Sequence, residues 1–292
     1  MSKALDALVE DARELARRAL AIVPQAARVD WAGCRAAVWQ SGRWGSGFVA
    51  HSDLDEIALD DLLSIDDQKA QLDLNTRQFL RGLPANNVLL WGARGTGKSS
   101  LVHGLLNRYH GDGLRLVEVS RGRLGELPEI VRVLRDEPYR FVLFCDDLSF
   151  EADDPSYKAL KSALEGSVFR ASGNVLIYAT SNRRHLLPEY MSDNAQATMV
   201  QGELHQGEAV DEKISLSDRF GLWLSFYPFR QDAYLDVAAH WVTRLAAEHG
   251  LAVGWTDEAR AEALRWALAR GVRSGRTAQY FARHWVGRSL VD

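Results

Sequence analysis

Eight consecutive residues, Gly92-Ala93-Arg94-Gly95-Thr96-Gly97-Lys98-Ser99, constrain this chain more than any other stretch. They match the pattern GxxxxGK[ST] in full. Lacking a Cβ, glycine lets the backbone wrap until several N–H groups converge, a concavity that suits phosphate oxygens. The apolar run Val88-Leu89-Leu90-Trp91 precedes the loop, and a helical pattern opens at Lys98, whose N-terminal dipole end favours an anion. A chain of average composition and this length meets the pattern by chance roughly one time in a hundred. The strand before and the helix after lower that chance further. The expected ligand is ATP with Mg²⁺: Lys98 reaches the β- and γ-phosphates, and the Ser99 hydroxyl binds the metal. Ser100 continues the helix beside them.

From residue 87 onward, short apolar runs alternate with helical stretches. Runs at 87–91, 114–119, 141–145, 174–179 and 222–226 read as buried strands, with helices at about 98–109, 125–136 and 156–170. That alternation implies a parallel sheet with crossover helices. A helix is also expected from about 66 to 81, ending before Gly82-Leu83-Pro84. After Pro228 the strands stop, and 231–249, 256–270 and 275–288 read as three helices of a lid. Upstream, residues 3–22 have the apolar spacing of an amphipathic helix. Residues 30–50 carry Trp31, Trp39 and Trp44 and read as a small packed element or a docking surface; the acidic stretch 51–62 reads as a linker. The polar segment 183–217 breaks the rhythm. These boundaries divide the chain into 1–60, 61–228 and 229–292.

Phe141-Val142-Leu143-Phe144-Cys145 ends in Asp146-Asp147. Acids after strands are common, so this pair alone would say little. Downstream of the glycine loop, Asp146 becomes the expected Mg²⁺ holder and Asp147 the group that polarises an attacking water. The run Asn174–Ser181 ends at Asn182, an amide able to bond both water and γ-phosphate, though a lone asparagine there is more often a turn residue. Arg219, in Leu216-Ser217-Asp218-Arg219-Phe220-Gly221, could project into a neighbouring subunit's nucleotide or simply pair with Asp218. Arg276 opens the last helix and could reach back to the γ-phosphate or lie on a solvated face.

Taken together, these residues resemble the AAA+ superfamily over about residues 62 to 292. The glycine loop, the Asp146-Asp147 strand end, Asn182 in the sensor-1 position, Arg219 in the arginine-finger position and Arg276 in the sensor-2 position occur in that family's order. The stretches PANNVLLWGARGTGKSS, FCDDLSFE and YATSNRRHL are similar to a bacterial AAA+ family known only as a domain of unknown function. The resemblance implies an α/β P-loop core with a five-stranded parallel sheet in the order 5-1-4-3-2, flanked by helices and followed by the helical lid. It further implies nucleotide at subunit interfaces, a homo-oligomeric ring taken as a hexamer, and Ile65 against the adenine. Two departures stand out. Most relatives have Asp-Glu where this chain has Asp146-Asp147; the shorter side chain draws the carboxylate back by roughly 1.5 Å, a shift able to cost about a hundredfold in rate unless Glu151 assists. And Ser120-Arg121-Gly122-Arg123-Leu124-Gly125 lacks the aromatic that unfoldase relatives carry after the second strand.

The remaining composition mostly excludes. Net charge is −4, so the surface as a whole does not attract nucleic acid. The last 37 residues carry seven arginines against four acids, which leaves weak DNA contact open. Cys34 and Cys145 have no metal-ligand spacing. No apolar run approaches the roughly 20 residues of a membrane span, so the expectation is a soluble, cytoplasmic protein. Three functions compete: an ATPase that remodels or loads a partner macromolecule, protein or nucleic acid; an ATP-dependent assembly or binding switch with little turnover; and a P-loop kinase, against which the two sensor-like basic positions and the lid argue.

Overall fold

In a computed structural model, the chain is described for residues 29–42, 45–51, 56–150, 154–165, 173–183, 198–200, 203–205, 216–251 and 254–291, with Arg13, Leu54 and Leu186 as isolated positions. The helix expected over 3–22 (Arg13 apart), Trp44, Glu151 and most of the polar segment 183–217 lie outside the described residues.

The central sheet has seven strands, not the five expected. Its parallel strands are β3 (Val88–Gly92), β4 (Leu114–Glu118), β5 (Arg140–Cys145), β6 (Val175–Ser181) and β9 (Leu222–Phe226). The two extra strands, β1 (Ala36–Gly42) and β2 (Gly45–Ala50), form an antiparallel hairpin, and β1 joins β4 in parallel. The full order is β2-β1-β4-β5-β6-β3-β9. A separate antiparallel pair, β7 (Thr198–Val200) and β8 (Glu203–His205), stands apart from it. The hairpin escapes notice in the sequence because glycines and serines dilute its strand pattern. Its buried positions are Ala36, Ala37, Trp39 and Phe48 rather than a β-branched run.

Alternating side chains divide the sheet's packing between two faces. Val88 and Leu90, with Val142 and Phe144, face one apolar core. Leu89, with Phe141, Leu143 and Cys145, faces the other. Helices α1 (Asp66–Leu80) and α2 (Lys98–Tyr109) cover the first face; α3 (Leu127–Leu134) and α4 (Pro155–Glu165) cover the second. β5 is buried on both faces for its last five residues, as a central parallel strand requires.

The C-terminal helices α5 (Gln231–Glu248), α6 (Asp257–Arg270) and α7 (Gly275–Val291) pack around Tyr234, Val242, Phe281 and Trp285. Thr256 caps α6, its hydroxyl accepting the Ala259 N–H at 3.2 Å, and Gly271 ends that helix in the left-handed region at φ 66°. The Tyr234 hydroxyl donates to the Ala263 carbonyl at 3.0 Å, joining α5 to α6. No helix among the described residues is long and apolar enough to cross a membrane.

The hairpin is tied to the segment after β4. Trp39 Nε1 and Ser41 Oγ donate to the two oxygens of Glu126 at 2.6 and 2.8 Å, and Arg123 donates to the Ser41 carbonyl at 2.8 Å. This segment, Arg121–Glu126, is a 3₁₀ turn.

β3 and β9 meet with almost no clearance at the start of the glycine loop. Gly92 has φ 125°, and a Cβ added there would lie 2.0 Å from the Phe226 carbonyl oxygen. Gly92→Ala should therefore separate β3 from β9 and cost about 3 kcal/mol or more of stability. Thermal denaturation checks this; a melting temperature equal to that of the unmodified chain contradicts the close approach.

Candidate nucleotide site

The carboxyl ends of β3, β5 and β6 open into one cavity of about 580 Å³, where ligands gather in open parallel sheets. Arg94 through Ser100 form one wall. Gly97 precedes α2 at φ 98°, a left-handed conformation that turns the chain into the helix. Gly95, at φ 74°, lies so close to the lid that a Cβ would come within 2.9 Å of Ser274 Oγ. Gly92 and Ala93 lie behind this wall and serve through their carbonyls, each accepting a 2.8 Å bond from Lys98 Nζ.

Lys98 is 7 % exposed. Burial pushes its amine down from 10.5 to about 8, although Asp146 and Asp147 pull the other way; Arg276 and Arg94 add to the depression. Loop carbonyls and Asn182 Oδ1, at 3.3 Å, accept from the amine. A polyanion placed here would meet a cation held in a poorly solvated position by weak neutral acceptors, so its charge would be strongly favoured.

Opposite the loop, Ser99 Oγ donates to Asp146 Oδ1 at 2.7 Å. Asp147 takes the left-handed region at φ 50°, uncommon for a residue with a Cβ. The Asn182 amide donates to Asp147 Oδ1. Lys98, Asn182 and Asp147 thus form one bonded chain, and Ser99 and Asp146 a bonded pair beside it. Paired oxygen donors from Ser99 and Asp146 suit a hard cation such as Mg²⁺ shared with phosphate oxygens, and the glycine loop and Lys98 suit the phosphates themselves.

The lid closes the cavity's other side. Arg276, Gln279, Tyr280 and Arg283 line it at the i, i+3, i+4 and i+7 positions of one α7 face. The Arg276 N–H donates to the Gly95 carbonyl at 3.2 Å, joining lid to loop. At the apolar end lie Ile57, Leu62 and Ile65 beside Val237 and Trp241 of α5. Arg219 is not in the cavity; its guanidinium is held by Glu165 at the end of α4.

Residues 32–289 match the family described as "Protein of unknown function (DUF815)". The chain belongs to the DUF815 family. Among solved structures, this DUF815 chain is similar to the RuvB Holliday junction branch migration motor of Thermotoga maritima, with 18% identity and a TM-score of 0.50 over 77% of this chain and 63% of that one. It is also similar to the Aeropyrum pernix ORC1 protein in complex with DNA, with 17% identity and a TM-score of 0.51 over 75% of this chain and 58% of that one. The match thus takes in less than two thirds of either protein. At this identity the likeness is one of fold alone. None of the curated proteins matches the chain.

Sequence reasoning missed two things here. Asp61, read as a linker acid, is 8 % exposed, lines the cavity and binds the lid. It accepts from His240 Nε2 at 3.1 Å, from the Ala58 N–H at 2.8 Å and from Arg244. The missed α7 face had a signal, the seven-residue spacing of Arg276 and Arg283. Asp61 had none, since its partners on α5 lie some 180 residues away.

Burial raises the Asp61 carboxyl, but the bonds from Arg244, the Ala58 N–H and His240 outweigh it and hold the group below its ordinary 3.8. A carboxyl lowered on folding stabilises at every pH above its unfolded value and loses that contribution as pH falls through the folded value. Arg244→Ala should cost about 1–3 kcal/mol, since it strips a buried carboxylate of its main partner. Melting curves should show the penalty in full at about pH 8 and shrinking below about pH 4. A penalty that grows on acidification contradicts the pairing.

Proposed function

We propose that this DUF815 protein binds Mg-ATP and hydrolyses it at the interfaces of a homo-oligomeric ring, taken as a hexamer, to remodel or load a partner protein or nucleic acid. The observation that carries the reading is a single cavity uniting Lys98, Ser99, Asp146, Asp147, Asn182 and Arg276. Gly92, Ala93, Arg94, Gly95, Thr96, Gly97 and Ser100 complete the loop around the triphosphate, and Ile65 meets the adenine. In this reading residues 61–228 carry the nucleotide, 229–292 move as the lid, and 1–60 are left for recognition.

The steps follow from the side chains. Loop amides and Lys98 hold the β- and γ-phosphates, while Ser99 and Asp146 hold the metal. When bound, Mg²⁺ supplies positive charge to the phosphate oxygens as the bond to the β-phosphate breaks. Asp147 accepts the proton of the attacking water, and Asn182 orients that water and the γ-phosphate. Products are ADP and inorganic phosphate. Arg276 couples the lid to the γ-phosphate. Arg219 lies outside its own chain's cavity, as a residue that completes a neighbour's site would; there it offsets charge on the transferred group.

One observation favours the second reading, an ATP-dependent assembly switch with little turnover. Asp147 is short, and its backbone is held in the left-handed region.

Lys98→Ala should abolish ATP retention in equilibrium dialysis. Unmodified, folded chain that retains no adenine nucleotide at millimolar concentration would falsify the whole reading. Arg219→Ala should bind ATP normally yet turn over about a thousandfold more slowly. Steady-state ATPase across a range of protein concentrations checks this. Equal turnover removes the role in trans, while negligible turnover of the unmodified chain at high concentration, with ATP still bound, selects the switch.

A further inference from the structure

Thr180 sits on β6, one strand away from the metal-binding strand end, and is 2 % exposed. Its Oγ1 makes two bonds of opposite polarity. It accepts the backbone N–H of Asp147 at 2.8 Å and lies 2.5 Å from Asp146 Oδ1, to which it donates. A hydroxyl has one proton and two lone pairs. Accepting from Asp147 leaves that proton for Asp146, so the polarity of the pair is fixed. The Thr180 carbonyl adds a third bond, accepting the Leu148 N–H at 2.7 Å. One residue therefore grips three successive residues of the turn that follows β5.

That turn needs holding. Asp147 has φ 50°, a conformation a side chain disfavours. The N–H that Thr180 accepts belongs to this residue. Asp146 Oδ1 also takes the Ser99 hydroxyl at 2.7 Å, so Thr180 and Ser99 converge on one oxygen of one carboxylate.

We propose that Thr180 is a positioning residue for the metal side of the site: its hydroxyl sets the rotamer of Asp146 and stabilises the left-handed turn that aims Asp147. It lines the cavity beside Asp146 and Asp147, with its hydroxyl bonded to those two residues, and acts through the two carboxylates. The inference rests on the Mg-ATP reading above and deepens it. β-branching suits Thr180 to the strand, and valine would supply the same shape. The hydroxyl is what the position requires, because without it the Asp147 N–H loses its partner on this strand.

Thr180→Val removes the hydroxyl at nearly constant volume, and Thr180→Ser restores it. ATP affinity is measured with Mg²⁺ and with EDTA, metal coordination by the electron paramagnetic resonance spectrum of Mn²⁺ with ADP, and turnover in steady state. Expected for Thr180→Val is an affinity in EDTA within about twofold of the unmodified chain, since the phosphate loop is untouched. The Mg²⁺-dependent gain in affinity should fall about tenfold, the Mn²⁺ spectrum should change, and kcat should drop about a hundredfold, the scale of a roughly 1 Å misplacement. Thr180→Ser should recover each within about threefold. In a double-mutant cycle, adding Asp146→Asn should cost Thr180→Val little more in Mg²⁺ gain, because both act through one carboxylate. Should Thr180→Val not fold, Thr180→Cys, with its weak donor, takes its place. A hydroxyl-free variant with full Mg²⁺ gain, an unchanged Mn²⁺ spectrum and unchanged kcat overturns this inference alone. Failure of the unmodified chain to hold ATP overturns it together with the reading beneath it.

Discussion

The contact between Gly92 and the Phe226 carbonyl governs the geometry of everything around it. The neighbouring Ala93 N–H donates to that same carbonyl at 2.9 Å, so the end of β9 dictates where the loop leaves the sheet. Any side chain at position 92 would push the strands apart, and the loop would then open at a different height above the cavity floor. Glycine here is a requirement of distance as much as of backbone freedom. With the loop's origin set, Gly97 turns the chain into α2, and Lys98 points back beneath its own carbonyls.

The charges in the cavity balance one another in a way that leaves the site primed. Lys98 is buried with its amine brought down to about 8, yet two carboxylates face it. Asp147 is occupied by Asn182, and Asp146 by Ser99 and Thr180. Lys98, Ser99, Asp146, Asp147 and Asn182 are thus each bonded to a protein partner of modest strength. Polar groups in such a place are costly unless satisfied, and this network satisfies them with bonds that a triphosphate and a hard cation can replace.

How much of this was legible in the sequence depended on distance along the chain. The glycine loop reads directly because its eight residues are contiguous, and α2 begins at Lys98 as the pattern implies. The strand ends at Asp146 and Asn182 read nearly as well, since apolar runs announce them. The hairpin did not read. Trp39 looks like one of several tryptophans until Glu126, 87 residues on, accepts its N–H. Thr180 likewise looks like one more strand threonine; only the fold of β6 beside β5 brings its hydroxyl to Asp146. Arg219 was legible as a residue, and its bond to Glu165 was not. Chemistry encoded in adjacent residues is visible in one dimension, whereas chemistry assembled across strands and helices is not.

The Asp61 clasp makes the cavity a shared possession of two packed units. Its carboxylate stands on the approach to α1, and its partners His240 and Arg244 stand on α5, while Arg276 and Gly95 join the same two units at the phosphate end. An enclosure whose walls belong to different bodies obeys reciprocity: whatever free energy an occupant spends in drawing the walls together returns, in equal measure, as tighter grip when something else draws them together first. In the proposed reading, where 229–292 move as a lid, force applied to the three C-terminal helices and occupancy of the cavity are two handles on a single equilibrium.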